Sequence, residues 1–187
     1  DWASLGARFA SALFDDKVNF FRGIPQAWAV TEFEQLEHPV HGWWGFRIEA
    51  LGATPGIVGS ILPELGAKGR ALMAGYPHLA AALVLTADMP QGRVTVTPEG
   101  KPKVEYQLDD EQVLRLRAGA RAAARVYLAA GAREVLVPTA PVVRVRSEAE
   151  LSRLDDLSFA PATTPFISAH QQGTVRFAPR EADGAAS

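Results

Sequence analysis

Residues alternate between apolar and polar along much of the middle of the chain. WWGFRIEAL at 43–51, RVTVT at 93–97 and KVEYQL at 103–108 all show a period near two. This period is typical of a strand with one buried face. LAAALVL at 79–85 is apolar throughout, which indicates a strand buried on both faces. The pattern predicts an antiparallel sheet that also includes two short apolar runs, REVLVP at 133–138 and PVVRVR at 141–146.

Helical spacing marks other segments. In SLGARFASALF, Leu5, Phe9 and Leu13 stand four apart, which predicts an amphipathic helix at the start of the chain. Thr54 followed by Pro55 fits an N-cap with proline at the first helical position, and the glycines around this pair match no phosphate-binding spacing. These features predict helices at both places and no nucleotide loop in this stretch.

A long helix is predicted to begin after Asp109, because Gln112 stands three residues later in the capping-box position. Three arginines of this helix with a spacing of four, Arg117, Arg121 and Arg125, are interpreted as a solvated face rather than a phosphate-binding row. Gly131 fits the position just past the helix end. Further along the chain, Ser147 and Glu150 predict a capping box for the segment EAELSRL.

Strands and helices alternate without an internal repeat or a linker, so the predicted fold class is α+β: a mostly antiparallel β-sheet backed by helices. The 187 residues suffice for one domain with a sizeable core. Residues 179–187, READGAAS preceded by Pro179, carry no apolar pattern and are predicted to be a frayed tail.

Composition narrows the range of partners. The net charge of −2 gives no electrostatic reason to expect nucleic acid or an anionic membrane surface, and no apolar run is long enough to span a bilayer. With no cysteine in the chain, disulfides, thiolate metal sites and cysteine nucleophiles are excluded, while the compartment stays open. The chain opens on Asp1 rather than methionine, which suggests a processed or excised segment.

Few residues offer reactive chemistry. His38 and His41 flank a turn at a spacing of three, but no third ligand stands near them, so no metal site is predicted. His78 reads as a loop residue that opens a strand. His170, in SAHQQGTVRF, differs because Gly173 follows it and would let the backbone pass close to a flat ligand. A histidine there can take a proton from a substrate hydroxyl, although a hydrogen-bonded core histidine fits the same pattern.

SAHQQGTVRF resembles the C-terminal HxxGT signature of the glucose-methanol-choline flavoprotein oxidoreductases. Softer similarities run along most of the chain. They lie in FDDKVNFFRGIPQAWAV, GRVTVTPEGKPKVEYQLDDEQ and LAAGAREVL. The chain departs from the family pattern at Val175, Phe177 and Ala178, where cysteine, methionine and glycine are common.

The resemblance implies a flavin-dependent alcohol oxidoreductase. It implies that His170 takes the alcohol proton as hydride passes to N5 of FAD, and that Gly173 and Thr174 lie at the cofactor. Neither the GxGxxG flavin fingerprint nor the second catalytic His or Asn is found in the sequence. Residues 1–178 are therefore expected to be a substrate-binding domain. Its partners would be the FAD-binding remainder of the enzyme and a small-molecule substrate, namely a bulky, apolar primary or secondary alcohol.

A second hypothesis belongs to another class: a non-catalytic module that binds an apolar ligand on a helix-backed sheet. Its candidate lining is an aromatic set, Phe20, Phe21, Trp28, Trp43, Trp44 and Phe46, which fits ordinary core packing equally well. The surroundings of His170 separate the two hypotheses, because an enzyme fragment should leave an open apolar face there.

Overall fold

The computed structural model describes most of the chain. Backbone alone is described for residues 2–3, 5–9, 38, 42–43, 168 and 172–173. Backbone and side chains are described for residues 10–37, 44–62, 64–87, 92–160 and 162–167.

The described elements, in chain order, are strands β1 (Trp2–Ala3), β2 (Leu5–Leu13), β3 (Ala29–Val30), β4 (Leu36–His38), β5 (Gly42–Trp44) and β6 (Arg47–Leu51), helices α1 (Pro55–Ile61) and α2 (Gly66–Ala74), strands β7 (Leu79–Ala87), β8 (Arg93–Val96) and β9 (Pro102–Glu105), helix α3 (Asp110–Ala129), and strands β10 (Glu134–Val137), β11 (Val143–Val145), β12 (Ile167–Ser168) and β13 (Gln172–Gly173). Short 3₁₀ helices lie at Tyr76–His78 and Glu148–Leu154.

The main sheet has seven strands within the described residues. Its order is β11-β10-β2-β7-β6-β3, and β12 pairs with β2 beside β10. Each described pair in it is antiparallel. Two-stranded pairs form separately from β1 with β13, β4 with β5, and β8 with β9. The predicted α+β class is confirmed, and the hairpin β8–β9 stands apart from the main sheet.

Strand β2 corrects the sequence-based expectation of an opening helix. Its backbone pairs with β7 from Leu5 opposite Ala87 to Leu13 opposite Leu79, and with β10 and β12 on its other side. Ala10 and Ala12 are fully buried and Ser11 is nearly so, which places the strand between two covered faces. Since a central strand is buried on both faces, apolar spacing carries no strand period, and long-range pairing decides the structure.

One face of the sheet is covered by α3. The helix begins at the predicted capping box: the Asp109 carboxylate accepts from Gln112 N at 2.6 Å, and Gln112 Oε1 accepts from Asp109 N at 3.0 Å. It packs so closely on the sheet that a Cβ on Gly119 would stand 2.2 Å from Cγ1 of Val84. Gly131 follows the helix with φ +91°, as its position predicts.

The opposite face carries α1 and α2 at one end only. Thr54 caps α1 with Pro55 at the first turn, as predicted. These helices form a buried cluster with residues of β7 and β10, namely Ala53, Val58, Leu62, Leu72, Tyr76, Leu79 and Leu136. The other end of this face, around Leu85, lies beyond the two helices.

The arginine row on α3 is solvated in part, as its spacing suggested, and its side chains also bind a neighbouring segment. Arg117 donates from Nε and Nη2 to the Leu157 carbonyl at 3.1 and 2.9 Å. Arg121 pairs with Asp155, and Arg125 pairs with Glu148. The row therefore fixes the 3₁₀ helix at 148–154 and the residues after it. The predicted capping box of this helix is wrong, because the Ser147 side chain makes no cap hydrogen bond and the Glu150 carboxylate accepts from Arg146 N instead of Ser147 N.

Candidate functional site

The HxxGT motif is described in part. His170 and Thr174 lie outside the described residues, as does the predicted tail at 179–187. Gly173 belongs to the backbone of β13, where it is paired with Trp2 of β1. The assigned roles of these three residues stay predictions.

The strands that flank position 170 in sequence run along the first strands of the chain. In β12, Ile167 is opposite Ala7 and Ser168 is opposite Gly6. In β13, Gln172 is opposite Ala3. Between the pair Ser168–Gly6 and the pair Gln172–Ala3, the C-terminal segment advances by four residues and the N-terminal segment by three. The two parts of the chain are thus paired on both sides of position 170.

A row of cross-strand partners links the motif's flank to the end of the sheet that lies beyond α1 and α2. Arg47 of β6 is opposite Leu85 of β7, Leu85 is opposite Ala7 of β2, and Ala7 is opposite Ile167 of β12. Directly opposed residues share a face of the sheet. With strands ~4.8 Å apart, the row from Arg47 to Ile167 spans roughly 14 Å.

A cleft of about 340 Å³ lies at the Arg47 end of this row. It is lined by Glu34, Gly45, Phe46, Arg47, Glu49, Leu85 and Ala87. Arg47 donates a hydrogen bond from Nε to Glu34 and pairs with Glu49 at 3.4 Å. The hydrogen bond to Glu34 is the main cause of the raised pKa of Arg47, so its positive charge is held in place between the two carboxylates.

A larger cleft, of about 770 Å³, borders the segment that leads to the motif. It is lined by Tyr106, Gln107, Leu108, Val113, Phe159, Ala160, Ala162, Thr164 and Phe166. The rings of Tyr106 and Phe166 lie parallel with centroids 6.3 Å apart. Gln112 Nε2 donates to the Tyr106 hydroxyl at 3.1 Å, which orients the ring. Apolar walls with a few placed polar groups are what a ligand cleft requires.

The aromatic set proposed for an apolar pocket is divided among separate clusters. Phe20 and Phe21 contact Tyr76, with ring centroids 5.3 and 5.1 Å from it. Trp44 meets Phe46 edge-on at 6.4 Å. Trp28 is 83% exposed, and the Trp43 side chain lies outside the described residues. These residues do not line one pocket.

The remaining candidates are accounted for as follows. Nδ1 of His78 lies 2.9 Å from the Asp15 carbonyl, so its ring bridges the 3₁₀ turn and the loop after β2. His41 and the His38 side chain lie outside the described residues. Across the described part of the chain, no three His, Cys, Asp or Glu side chains are grouped to hold a metal ion. No helix in that part is long and apolar enough to cross a membrane.

Sequence reasoning missed Arg47 and the pair Tyr106 and Phe166. No sequence pattern indicated that Arg47 lines a cleft, because this depends on the register that sets Arg47 opposite Leu85. Tyr106 and Phe166 are 60 residues apart in sequence and meet only because the chain returns to β2. Local patterns carry no signal for either contact.

Comparison with known proteins identifies the family. No family model matches the chain. Two relatives, uncharacterised GMC-type oxidoreductases of Mycobacterium tuberculosis strains CDC 1551 / Oshkosh and ATCC 25618 / H37Rv, are each 33% identical over 140 residues. The match covers 74% of this chain and 21% of each relative. The chain thus belongs to the GMC-type (glucose-methanol-choline) oxidoreductases and corresponds to about a fifth of the length of these relatives.

Proposed function

We propose that this chain is the substrate-binding portion of a flavin-dependent oxidoreductase that oxidises a primary or secondary, bulky, apolar alcohol. The observation that carries the proposal is the GMC-type relationship over 140 residues, together with the HxxGT motif at His170, Gly173 and Thr174. The fold adds support, because β12 just before His170 pairs with β2, and β13, which contains Gly173, pairs with β1.

His170 acts as the general base. Its imidazole accepts the proton of the alcohol O–H, and the resulting alkoxide character makes the adjacent C–H a better hydride donor. When FAD is bound, its N5 is the hydride acceptor. The protonated His170 then stabilises the developing negative charge on the alcohol oxygen, since a fixed positive group in a site that excludes water lowers the barrier.

The described residues supply only part of what FAD needs. No glycine-rich phosphate loop follows a strand among them: Gly56 and Gly59 lie inside α1, which Thr54 caps. At the motif, Gly173 offers backbone without a Cβ, which fits close approach of a flat ring, and Thr174 offers a hydroxyl. In this proposal the chain contacts the reactive ring edge, and the FAD-binding remainder of the polypeptide holds the dinucleotide.

The cleft beside Tyr106, Phe159 and Phe166 is assigned to the apolar part of the alcohol. Its volume, about 770 Å³, is within the range of ~300–1,000 Å³ typical of ligand clefts. Phe166 stands four residues before His170, next to β12. A hydrocarbon chain or ring placed against these aromatic walls would be removed from water, which favours binding of bulky apolar alcohols over small polar ones.

The experiment that tests the proposal uses the complete enzyme. In His170→Ala, the rate of flavin reduction by an alcohol such as 1-decanol, followed by stopped-flow absorbance, should fall at least ~10²-fold, the usual contribution of a general base. The matched control is His78→Gln, which alters the histidine that contacts the Asp15 carbonyl and should leave the rate within about twofold. An unchanged rate in His170→Ala would contradict the proposal.

A further inference from the structure

A third cleft, of about 290 Å³, lies between α3 and the edge of the sheet formed by β3 and β6. On the sheet side, Val30 is opposite Ile48, Ala50 is opposite Ala82, and the Trp28 carbonyl accepts from Ala50 N at 3.0 Å. The full lining is Trp28, Ala29, Val30, Ile48, Ala50, Ala82, Ala123, Val126 and Tyr127.

Small side chains create this space. Ala50 and Ala82 lie side by side on the face that α3 covers, and Ala123 faces them from the helix. Elsewhere under α3 the same gap is filled, since Val84 and Phe46 press directly against Gly119. The three alanines therefore leave a recess where the rest of the interface is closely packed.

The recess has no charged residue in its lining and one phenol. The Tyr127 ring packs edge-on to Phe14 at 6.3 Å, while its hydroxyl makes no hydrogen bond with any residue that the structure describes. Burial raises the pKa of Tyr127, so the hydroxyl stays protonated and available as a donor at neutral and alkaline pH. The hydroxyl is therefore a donor that a ligand lying against Tyr127 can use.

Trp28 stands at the rim of this recess. Its side chain is 83% exposed, and Val126 on the opposite rim is 42% exposed. Exposed apolar side chains on both rims and an apolar floor are typical of a binding site rather than of random surface. The recess lies on the α3 face, whereas the row from Arg47 to Ile167 lies on the other face of the same strands.

We propose that this recess, the Tyr127 cleft, binds a neutral, mainly hydrocarbon molecule with one hydrogen-bond acceptor, which receives the Tyr127 hydroxyl. The aromatic or branched hydrocarbon part fills the space over Ala50, Ala82 and Ala123 and contacts the Trp28 indole. The absence of charge in the lining disfavours ions, because their desolvation would find no compensating partner there. This site is separate from the alcohol-oxidising site and does not depend on the proposed function.

A matched pair of probes tests the site: acetophenone, which has a carbonyl acceptor, and cumene, which has the same shape without one. Each is titrated into the 187-residue chain. The Trp28 indole N–H signal is followed by ¹H–¹⁵N NMR and assigned with Trp28→Phe. We expect both probes to shift this signal, and Tyr127→Phe to weaken acetophenone binding by ~3- to 10-fold while cumene binding stays within about twofold, since only the hydrogen bond is removed.

Ala50→Leu fills the recess at a position that is already exposed, so the fold should persist. It should weaken both probes by at least ~10-fold, whereas the control Ala129→Leu, exposed at the end of α3, should weaken neither. The proposal is overturned if the Trp28 indole signal does not move at millimolar concentrations of either probe. It is also overturned if Tyr127→Phe weakens the binding of both probes equally, or if Ala50→Leu leaves their binding unchanged. Loss of binding when the complete polypeptide replaces the chain would also overturn it, since other segments would then cover the recess.

Discussion

The two faces of the main sheet differ in how far helices cover them. Helix α3 lies across one face, and the backbone of Gly119 packs directly against the Val84 side chain. On the other face, α1 and α2 cover the end near Leu79 and leave the end near Leu85, where the row from Arg47 leads to β12. Close packing on one face stabilises the sheet, whereas no described helix covers the end of the other face near Arg47, where the cleft of about 340 Å³ lies.

The comparison predicts that the closed face tolerates no added atom. Gly119→Ala should lower the free energy of unfolding by ~1–3 kcal/mol, because the new Cβ would stand 2.2 Å from Val84 Cγ1 and 3.2 Å from Phe46 Cδ2. Urea denaturation of the chain measures this change.

The control for this substitution is Gly59→Ala, inside α1 on the other face, where a Cβ meets nothing within 4 Å. It should stabilise the chain by ~0.5–1 kcal/mol through helix propensity alone. A loss of stability in Gly59→Ala equal to that in Gly119→Ala would show that the two faces do not differ in packing.

The arginine row sharpens the comparison along α3 itself. Arg117→Met should cost about 1 kcal/mol, because a half-buried guanidinium then no longer holds the Leu157 carbonyl with two hydrogen bonds. Arg125→Met should cost at most ~0.5 kcal/mol, since its pair with Glu148 is exposed on both sides. Urea denaturation at low and high salt measures the loss of unfolding free energy in each variant. Equal losses in Arg117→Met and Arg125→Met would contradict the stronger structural role given to Arg117.

The sequence predicted most of the local structure. Alternation located β6, β8 and β9, an unbroken apolar run located β7, and side-chain chemistry located the caps at Thr54 and Asp109. The helix expected at 4–14 was wrong because β2 is defined by its pairing with β7, whose residues are 66 to 82 positions away in sequence, which no local period reveals.

The candidate site was predictable only as a motif. The spacing of His170, Gly173 and Thr174 indicates the family, and the relatives confirm that family. The clefts depend on where α1, α2 and α3 lie on the sheet and on the meeting of Ala50, Ala82 and Ala123 at one place. Those facts arise from register and helix placement, which lie beyond the range of a sequence pattern.

Hydrogen exchange in the complete enzyme tests the difference between the two faces most directly. The amides are compared with and without a slowly oxidised, bulky apolar alcohol chosen to occupy the proposed alcohol-oxidising site. Protection is predicted for residues 106–108, 159–160 and 162–168, at the cleft assigned to the alcohol, and for 45–49 and 84–87 at the Arg47 end of the row, with no change in α3 between 116 and 125. Protection confined to α3 between 116 and 125, with none at the cleft or at 84–87, would contradict this assignment of the substrate.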